Sequence, residues 1–180
     1  EARKQGRLLG IGIVNSIEPG VFNNNVYNVI GQQGGTALPE GITVSIDLFC
    51  KITARVGFAL EGQGQYTFVA QILADYFGMR PEDVRVVCQD TLSSPPHFGP
   101  GGSRLAVALS GAVLGAADLI RQKLVMVAAI LLQTTPDNVE LMDGILRMKN
   151  NHEYKMRLGD VVGTILMRSD LVPPGTEPTV

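Results

Sequence analysis

Apolar residues fall along this chain in two rhythms, and the change from one to the other marks out the elements. Thr43-Val44-Ser45-Ile46-Asp47-Leu48-Phe49 alternates with period two after Val44, and Ile52 to Leu60 is again strand-like, with only Cys50-Lys51 between them. This predicts a β-hairpin with a tight turn, although neither turn residue is the Gly, Asn or Asp that positive φ favours. From Phe68 the rhythm becomes helical: Phe68, Val69, Ile72, Leu73, Tyr76 and Phe77 share one face, and Gly78 supplies a left-handed cap. Arg80-Pro81-Glu82-Asp83 then turns the chain into a strand at Val84 to Cys88, so strand, helix and strand make a βαβ-like unit.

Leu105 to Gln133 is strongly apolar and free of proline, which predicts a long buried core helix, or two helices joined near Gly115. Asp118, Arg121 and Lys123 interrupt it too early for a membrane span, which needs about 20 apolar residues. Ser103 is placed to cap its N-terminus through the hydroxyl. Beyond it, Val139 to Met142 and Ile145 to Met148 flank Asp143-Gly144, a strong hairpin signal. A further strand within Glu153 to Arg157 and a helix from Gly159 to Met167 follow. Upstream, Arg7 to Ser16 (RLLGIGIVNS) reads as a buried strand, and Gly20 to Glu40 as a long loop with a brief strand near Val26 to Ile30. The tail from Leu171 to Pro178 has no periodicity and reads as a linker or as a cut through a longer chain. The expected class is α+β: a mixed sheet with a βαβ-like unit, glycine loops before two helices and one long buried helix, in a single domain over residues 1–180.

Composition narrows the function by exclusion. The net charge of -2 offers no basic surface for nucleic acid or an acidic membrane. Cys50 and Cys88 are the only cysteines and have no metal spacing; Cys88 is expected to be buried and not a nucleophile. Two such thiols and a start without a signal segment suit a reducing, cytoplasmic setting. There is no triad ordering, no paired carboxylates in one loop and no HExxH, so no catalytic or metal-ligating residue is assigned.

The candidate chemistry lies in two glycine-rich loops, each running into a helix. Glu61-Gly62-Gln63-Gly64 precedes the first, and Gly99-Pro100-Gly101-Gly102-Ser103-Arg104 the second. A helix N-terminus carries about half a positive charge and up to four free N–H donors, so two of them facing one site could hold a pyrophosphate or another anion. Glycine at 62, 64, 101 and 102 lets backbone approach the ligand; Gln63 adds an amide, and Arg104 a fork for phosphate oxygens. On the residues alone, a structural turn and a ligand loop both stay open. So do a ligand contact or proton relay, and a plain surface role, for His97. His152, among Asn150, Asn151 and Glu153, is expected in solvent.

The ordered series GQGQYT, AQILADYFGM, PEDVRVVCQDT, GPGGSR and LAVALSGAV, with GRLLGIGI before it and DGILRMKN after it, resembles the large molybdopterin-binding subunit of the xanthine dehydrogenase and aldehyde oxidase family. The bacterial branch typified by aerobic carbon monoxide dehydrogenase is the nearest in pattern, because it too has GSR in the second loop. The resemblance implies cofactor-binding roles for Gly62, Gln63, Gly64 and Thr67 in the first loop, with Gln63 at the molybdenum and dithiolene end. It implies that Gly101, Gly102, Ser103 and Arg104 hold the pterin and nucleotide phosphates.

The implied cofactor is molybdopterin with molybdenum, commonly the cytosine dinucleotide form in bacteria. The implied reaction is hydroxylation of a carbon centre of a small-molecule substrate, such as an aldehyde or N-heterocycle, with oxygen from water. The implied partners are the remainder of the large subunit and subunits or domains carrying iron-sulfur clusters and FAD. The family's general base is a glutamate in a GxGE motif, which these 180 residues do not contain, so they are expected to be inactive in isolation. A hammerhead domain, usual before this region, is also missing, and Cys50 stands in a turn where the family usually has Gly or Asp. The alternative is a non-catalytic folded domain serving subunit assembly or binding a generic phosphate ligand.

Overall fold

The structure of the protein, a computed structural model, describes residues 1–16, 31, 40–88, 90–177 and 179–180. The brief strand near Val26 to Ile30, and nearly all of the long loop around it, lie outside the described residues.

Two three-stranded sheets flank a pair of packed helices. The first sheet has β1 (Thr43–Ile46), β2 (Ile52–Val56) and β3 (Val84–Cys88), in the order β1-β2-β3. β1 and β2 are antiparallel, with Ile46 opposite Ile52; β2 and β3 are parallel, with Val56 opposite Cys88. Between β2 and β3 comes α1 (Gln65–Phe77), which completes the βαβ unit. The second sheet is an antiparallel meander of β4 (Val139–Met142), β5 (Ile145–Met148) and β6 (Lys155–Arg157), followed by α3 (Leu158–Met167). The long apolar segment is one unbroken helix, α2 (Leu105–Leu131).

The core follows from the two periodicities. Ile52, Ala54 and Val56 put alternate side chains of β2 into it. On α1, Val69, Leu73 and Phe77 face it, and on α2 Leu109, Val113, Ala117, Ile120, Leu124 and Val127 form the stripe that a period of 3.6 dictates. Along most of α2 burial follows that stripe, with Val107, Leu114, Leu119 and Ile130 exposed, and near its C-terminal end Ala128 and Ala129 are buried as well. Asp143 and Gly144, the turn of the expected hairpin, both have positive φ, as a type I′ turn requires.

Four local expectations are corrected. Arg7 to Ser16 forms no strand, and Leu8, Leu9, Ile11, Ile13 and Val14 are all exposed; a strand of this kind needs a ladder partner, and among the described residues it has none. The β1–β2 turn spans 47–51, not two residues. The Asp47 carboxylate accepts the N–H groups of Phe49 and Lys51, which holds Cys50 at φ 58 and accounts for a cysteine at a position where glycine would be expected. Cys88 is exposed at the end of β3. The tail is not a free linker: Val172 packs against the core, and just beyond Pro178 the Val180 carbonyl accepts from the Ile46 N–H at 2.9 Å and the Thr179 carbonyl from Lys123 Nζ at 2.6 Å.

Candidate functional site

The first loop leaves β2 and reaches α1 through two left-handed glycines, Gly62 at φ 96 and Gly64 at φ 75. A Cβ at either would meet nothing within 4 Å, so the backbone conformation alone calls for glycine, and the surface around them is open. Gly64 is the N-cap of α1, and its carbonyl takes the first helical bond from Phe68 N–H at 3.0 Å. The Tyr66 hydroxyl donates to the Phe58 carbonyl at 3.3 Å and ties the helix start to the end of β2. Burial first, and the neighbouring Cys88 thiol second, raise the Tyr66 hydroxyl above its ordinary pKa.

Gln65, in the first turn of α1, is buried, and its Nε2 donates to Gln63 Oε1 at 3.0 Å. That bond fixes which end of the Gln63 amide is occupied and leaves Gln63 Nε2 as its donor. Gln65 Oε1 is itself buried without a partner, an orphan acceptor that ordinarily costs about 1–3 kcal/mol.

The second loop is organised by a group from outside it. One carboxylate oxygen of Glu40, Oε1, accepts from Phe98 N–H at 3.2 Å, Gly99 N–H at 3.0 Å and Arg104 Nη1 at 2.5 Å. Arg104 Nη1 also donates to the Gly99 carbonyl at 3.0 Å, and the guanidinium lies 5.3 Å from the Phe98 ring centroid. Both charged side chains are buried, Glu40 at 0% and Arg104 at 2% exposure. The expectation for Ser103 is also revised. Its φ is 50, so it belongs to the left-handed turn with Gly102, and the helix cap falls on Arg104 without a side-chain cap bond.

The two loops form one pocket of about 520 Å³. Gln63, Gln65, Glu61 and Phe68 line it on one side, and residues 100–106, from Pro100 to Ala106, on the other. Both helices therefore begin at this pocket. Further along, the Tyr76 hydroxyl of α1 donates to the Asp118 carboxylate of α2, so the two helices run side by side in the same direction. Their positive ends converge on the pocket.

Of the residues singled out in the sequence, Gln63, Gly101, Gly102, Ser103 and Arg104 meet here. Gly62, Gly64 and Thr67 are not among the lining residues; the glycines shape the turn and Thr67 is exposed on the first turn of α1. His97 is not brought to the pocket. It forms a β-bridge with Glu40 and its ring lies over Gly57, where a Cβ would come within 2.2 Å of it. His152 is exposed as expected and sits 3.7 Å from Glu140. Among the described residues no group of three or more His, Cys, Asp or Glu side chains could hold a metal ion, and no helix is long and apolar enough to cross a membrane.

A pocket with two convergent helix N-termini, glycine-rich walls and amide side chains has the chemistry to hold a large anionic ligand. Comparison with known proteins narrows it. The sequence model of the molybdopterin cofactor-binding domain matches residues 1–175, and the chain belongs to that family. It is 33% identical over 178 residues to the nicotine 6-hydroxylase large subunit of Paenarthrobacter nicotinovorans, covering 99% of this chain and 22% of that one. With the carbon monoxide dehydrogenase large chain of Hydrogenophaga pseudoflava it shares 26% over 172 residues, 95% of this chain and 20% of the relative. The crystal structure of quinoline 2-oxidoreductase from Pseudomonas putida 86 superposes with a TM-score of 0.79 at 28% identity, over 90% of this chain and 20% of that chain. The chain thus spans about a fifth of the length of the relatives it matches.

Proposed function

We propose that residues 1–180 form one folded unit that supplies the two loops gripping the pterin cofactor in the large subunit of a cytoplasmic molybdenum hydroxylase. The carrying observation is the convergence of α1 and α2 on a single pocket with Gln63 in one wall and Gly101 to Ser103 in the other. The residues fit such a group: the glycines leave open space where side chains would obstruct it, and the Gln65 acceptor lacks a partner that a polar ligand can provide. Membership of the family supports the pterin reading over a generic phosphate site.

In this reading Gln63 Nε2 donates toward the molybdenum and dithiolene end. Gly62 and Gly64 set the backbone around it, and Thr67 supports the start of α1. Gly101, Gly102 and Ser103 present backbone groups to the pterin and the phosphates of a cytosine dinucleotide form, in a wall that includes Arg104. When bound, the cofactor supplies the redox centre for hydroxylating a carbon of a small substrate such as an aldehyde or N-heterocycle with oxygen from water. The chain's own part is to bind and orient. Acid–base chemistry falls to residues elsewhere in the large subunit, so the 180 residues alone are expected to show no turnover.

The exposed apolar side chains of residues 8–14 and of the outer face of α2 support docking against the remainder of that subunit. Iron-sulfur and flavin subunits complete the electron path. The test is bound molybdenum and pterin in the complete enzyme: Gln63→Ala and Arg104→Ala should each lower cofactor content about tenfold or more, and full content in both would overturn the assignment.

A further inference from the structure

The way Arg104 is held points to a different role from the one its position in a cofactor loop suggests. Its guanidinium is inside the wall, and both hydrogens of Nη1 are directed at protein acceptors, Glu40 Oε1 and the Gly99 carbonyl. The positive charge is met by a carboxylate of 0% exposure. A buried ion pair is close to neutral seen from outside, so this arginine adds little attraction for a second anion. The contacts instead join the two ends of the loop. Glu40 takes the N–H groups of Phe98 and Gly99 at its start and the side chain of Arg104 at its end. The Arg104 N–H donates to the Gly101 carbonyl at 3.3 Å, closing the turn between them. What remains outside the staple is Pro100 to Ser103, the stretch that lines the pocket.

We propose that Glu40 and Arg104 are a positioning pair: together they hold the second glycine loop from behind, and the ligand's negative charge is met by the helix N-termini and amide groups, not by the Arg104 guanidinium. This rests on the cofactor-binding reading for the identity of the ligand, but the clamp is testable without it. The Glu40 backbone is paired in an isolated bridge to His97, which places its side chain beside the start of the second loop.

The experiment uses the complete enzyme with Glu40→Gln, Arg104→Gln, the double variant and Arg104→Lys. Amide hydrogen exchange is read at Phe98 and Gly99, and released pterin per large subunit at low salt and at about 1 M salt, where the screening length falls to about 3 Å. Glu40→Gln should speed exchange at Phe98 and Gly99 about tenfold or more while the amides of α2 around Leu124 keep their protection. Cofactor content should fall in each single variant, fall no further in the double variant, and show the same salt dependence in wild type and Arg104→Gln.

Unchanged exchange at Phe98 and Gly99 overturns the clamp. So does a double variant whose loss is the product of the two single losses, or a salt dependence that disappears with Arg104→Gln, since either would put the guanidinium against the ligand. Should Glu40→Gln fail to fold, Arg104→Lys decides: it keeps the charge and loses the fork, so the clamp requires faster exchange at Gly99 and lower cofactor content, and a direct charge contact requires neither. A wild-type enzyme without pterin would overturn the cofactor reading, while the exchange data still decide the clamp.

Discussion

Replacing Gln65 by leucine should make the empty chain more stable and the complete enzyme poorer in cofactor. Gln65 is 8% exposed, so leucine of similar length enters a site already closed to solvent. The substitution removes an unpartnered Oε1, worth about 1–3 kcal/mol, and a single bond to Gln63, worth about 1 kcal/mol in the opposite sense. Burying leucine where an amide stood adds about 1 kcal/mol or more in favour of folding. The balance is a gain of about 1–3 kcal/mol, readable as a higher urea midpoint at unchanged m. Gln63, however, loses the donor that occupies its Oε1, so its amide is free to turn and no longer presents Nε2 alone. Released pterin per large subunit should fall about tenfold, the equivalent of about 1.4 kcal/mol. Gln65→Glu is the control: it keeps an acceptor but not the donor and brings a charge into a buried site, so it should lower both stability and cofactor content. A Gln65→Leu chain that is less stable than wild type, with cofactor content intact, would refute the idea that this orphan acceptor is kept for a ligand.

Two further outcomes concern the frame around the site. A Cβ at Gly78 would lie 2.3 Å from the Asp143 Cα, and φ there is 66, so Gly78→Ala combines left-handed strain with a backbone clash and should cost about 2–5 kcal/mol. Gly144→Ala has similar φ but only an ordinary 3.5 Å contact, and should cost about 1–2 kcal/mol; equal losses in urea denaturation would mean that the hairpin does not press on the cap of α1. Lys51 Nζ, and then Arg80, donate to Asp83 and lower its carboxyl to about 2. Because this folded-state value is depressed, the contribution is complete above the unfolded carboxyl value near pH 4 and is lost as pH falls toward 2. A carboxyl titration by NMR should show the low midpoint in wild type and a rise toward the ordinary value in Lys51→Met; an unshifted wild-type midpoint would contradict the pairing.

The elements legible from the sequence were those whose signals are local. The β4–β5 hairpin rests on Asp143-Gly144, and α1 on an apolar face ending at Gly78, each carrying its own backbone preference. The helix from Leu105 was equally plain, but its cap was not. Ser103 has the right side chain for capping, yet the preceding glycines carry the turn into the left-handed region and move the cap to Arg104. Residues 7–16 show the limit of periodicity. Their composition favours a strand, but a strand exists only with a partner, and composition does not say where a partner is. The tail fails in the opposite sense: nothing periodic marks 171–178, yet Val172 packs against the core and the carbonyls of Thr179 and Val180 just beyond are bonded to α2 and β1.

The same distinction divides the site. The first wall is local: glycines set the turn, and the key polar contact joins residues two apart, Gln63 and Gln65. Its place in the pocket could be foreseen from GQGQ and a helix pattern. The second wall is held by Glu40, 64 residues before Arg104, and no spacing rule connects a carboxylate and an arginine so far apart in the chain. From the sequence, Arg104 beside Gly101 and Gly102 looked like a phosphate ligand because free arginines in glycine loops often are. The buried Glu40 changes the electrostatic argument. With the Arg104 guanidinium matched by a carboxylate and Glu61 also lining the pocket, the groups among the described residues that can attract an anion are the N-termini of α1 and α2, which parallel packing brings to one place. On the proposed clamp, the packing of two helices would do the work that a basic side chain was expected to do.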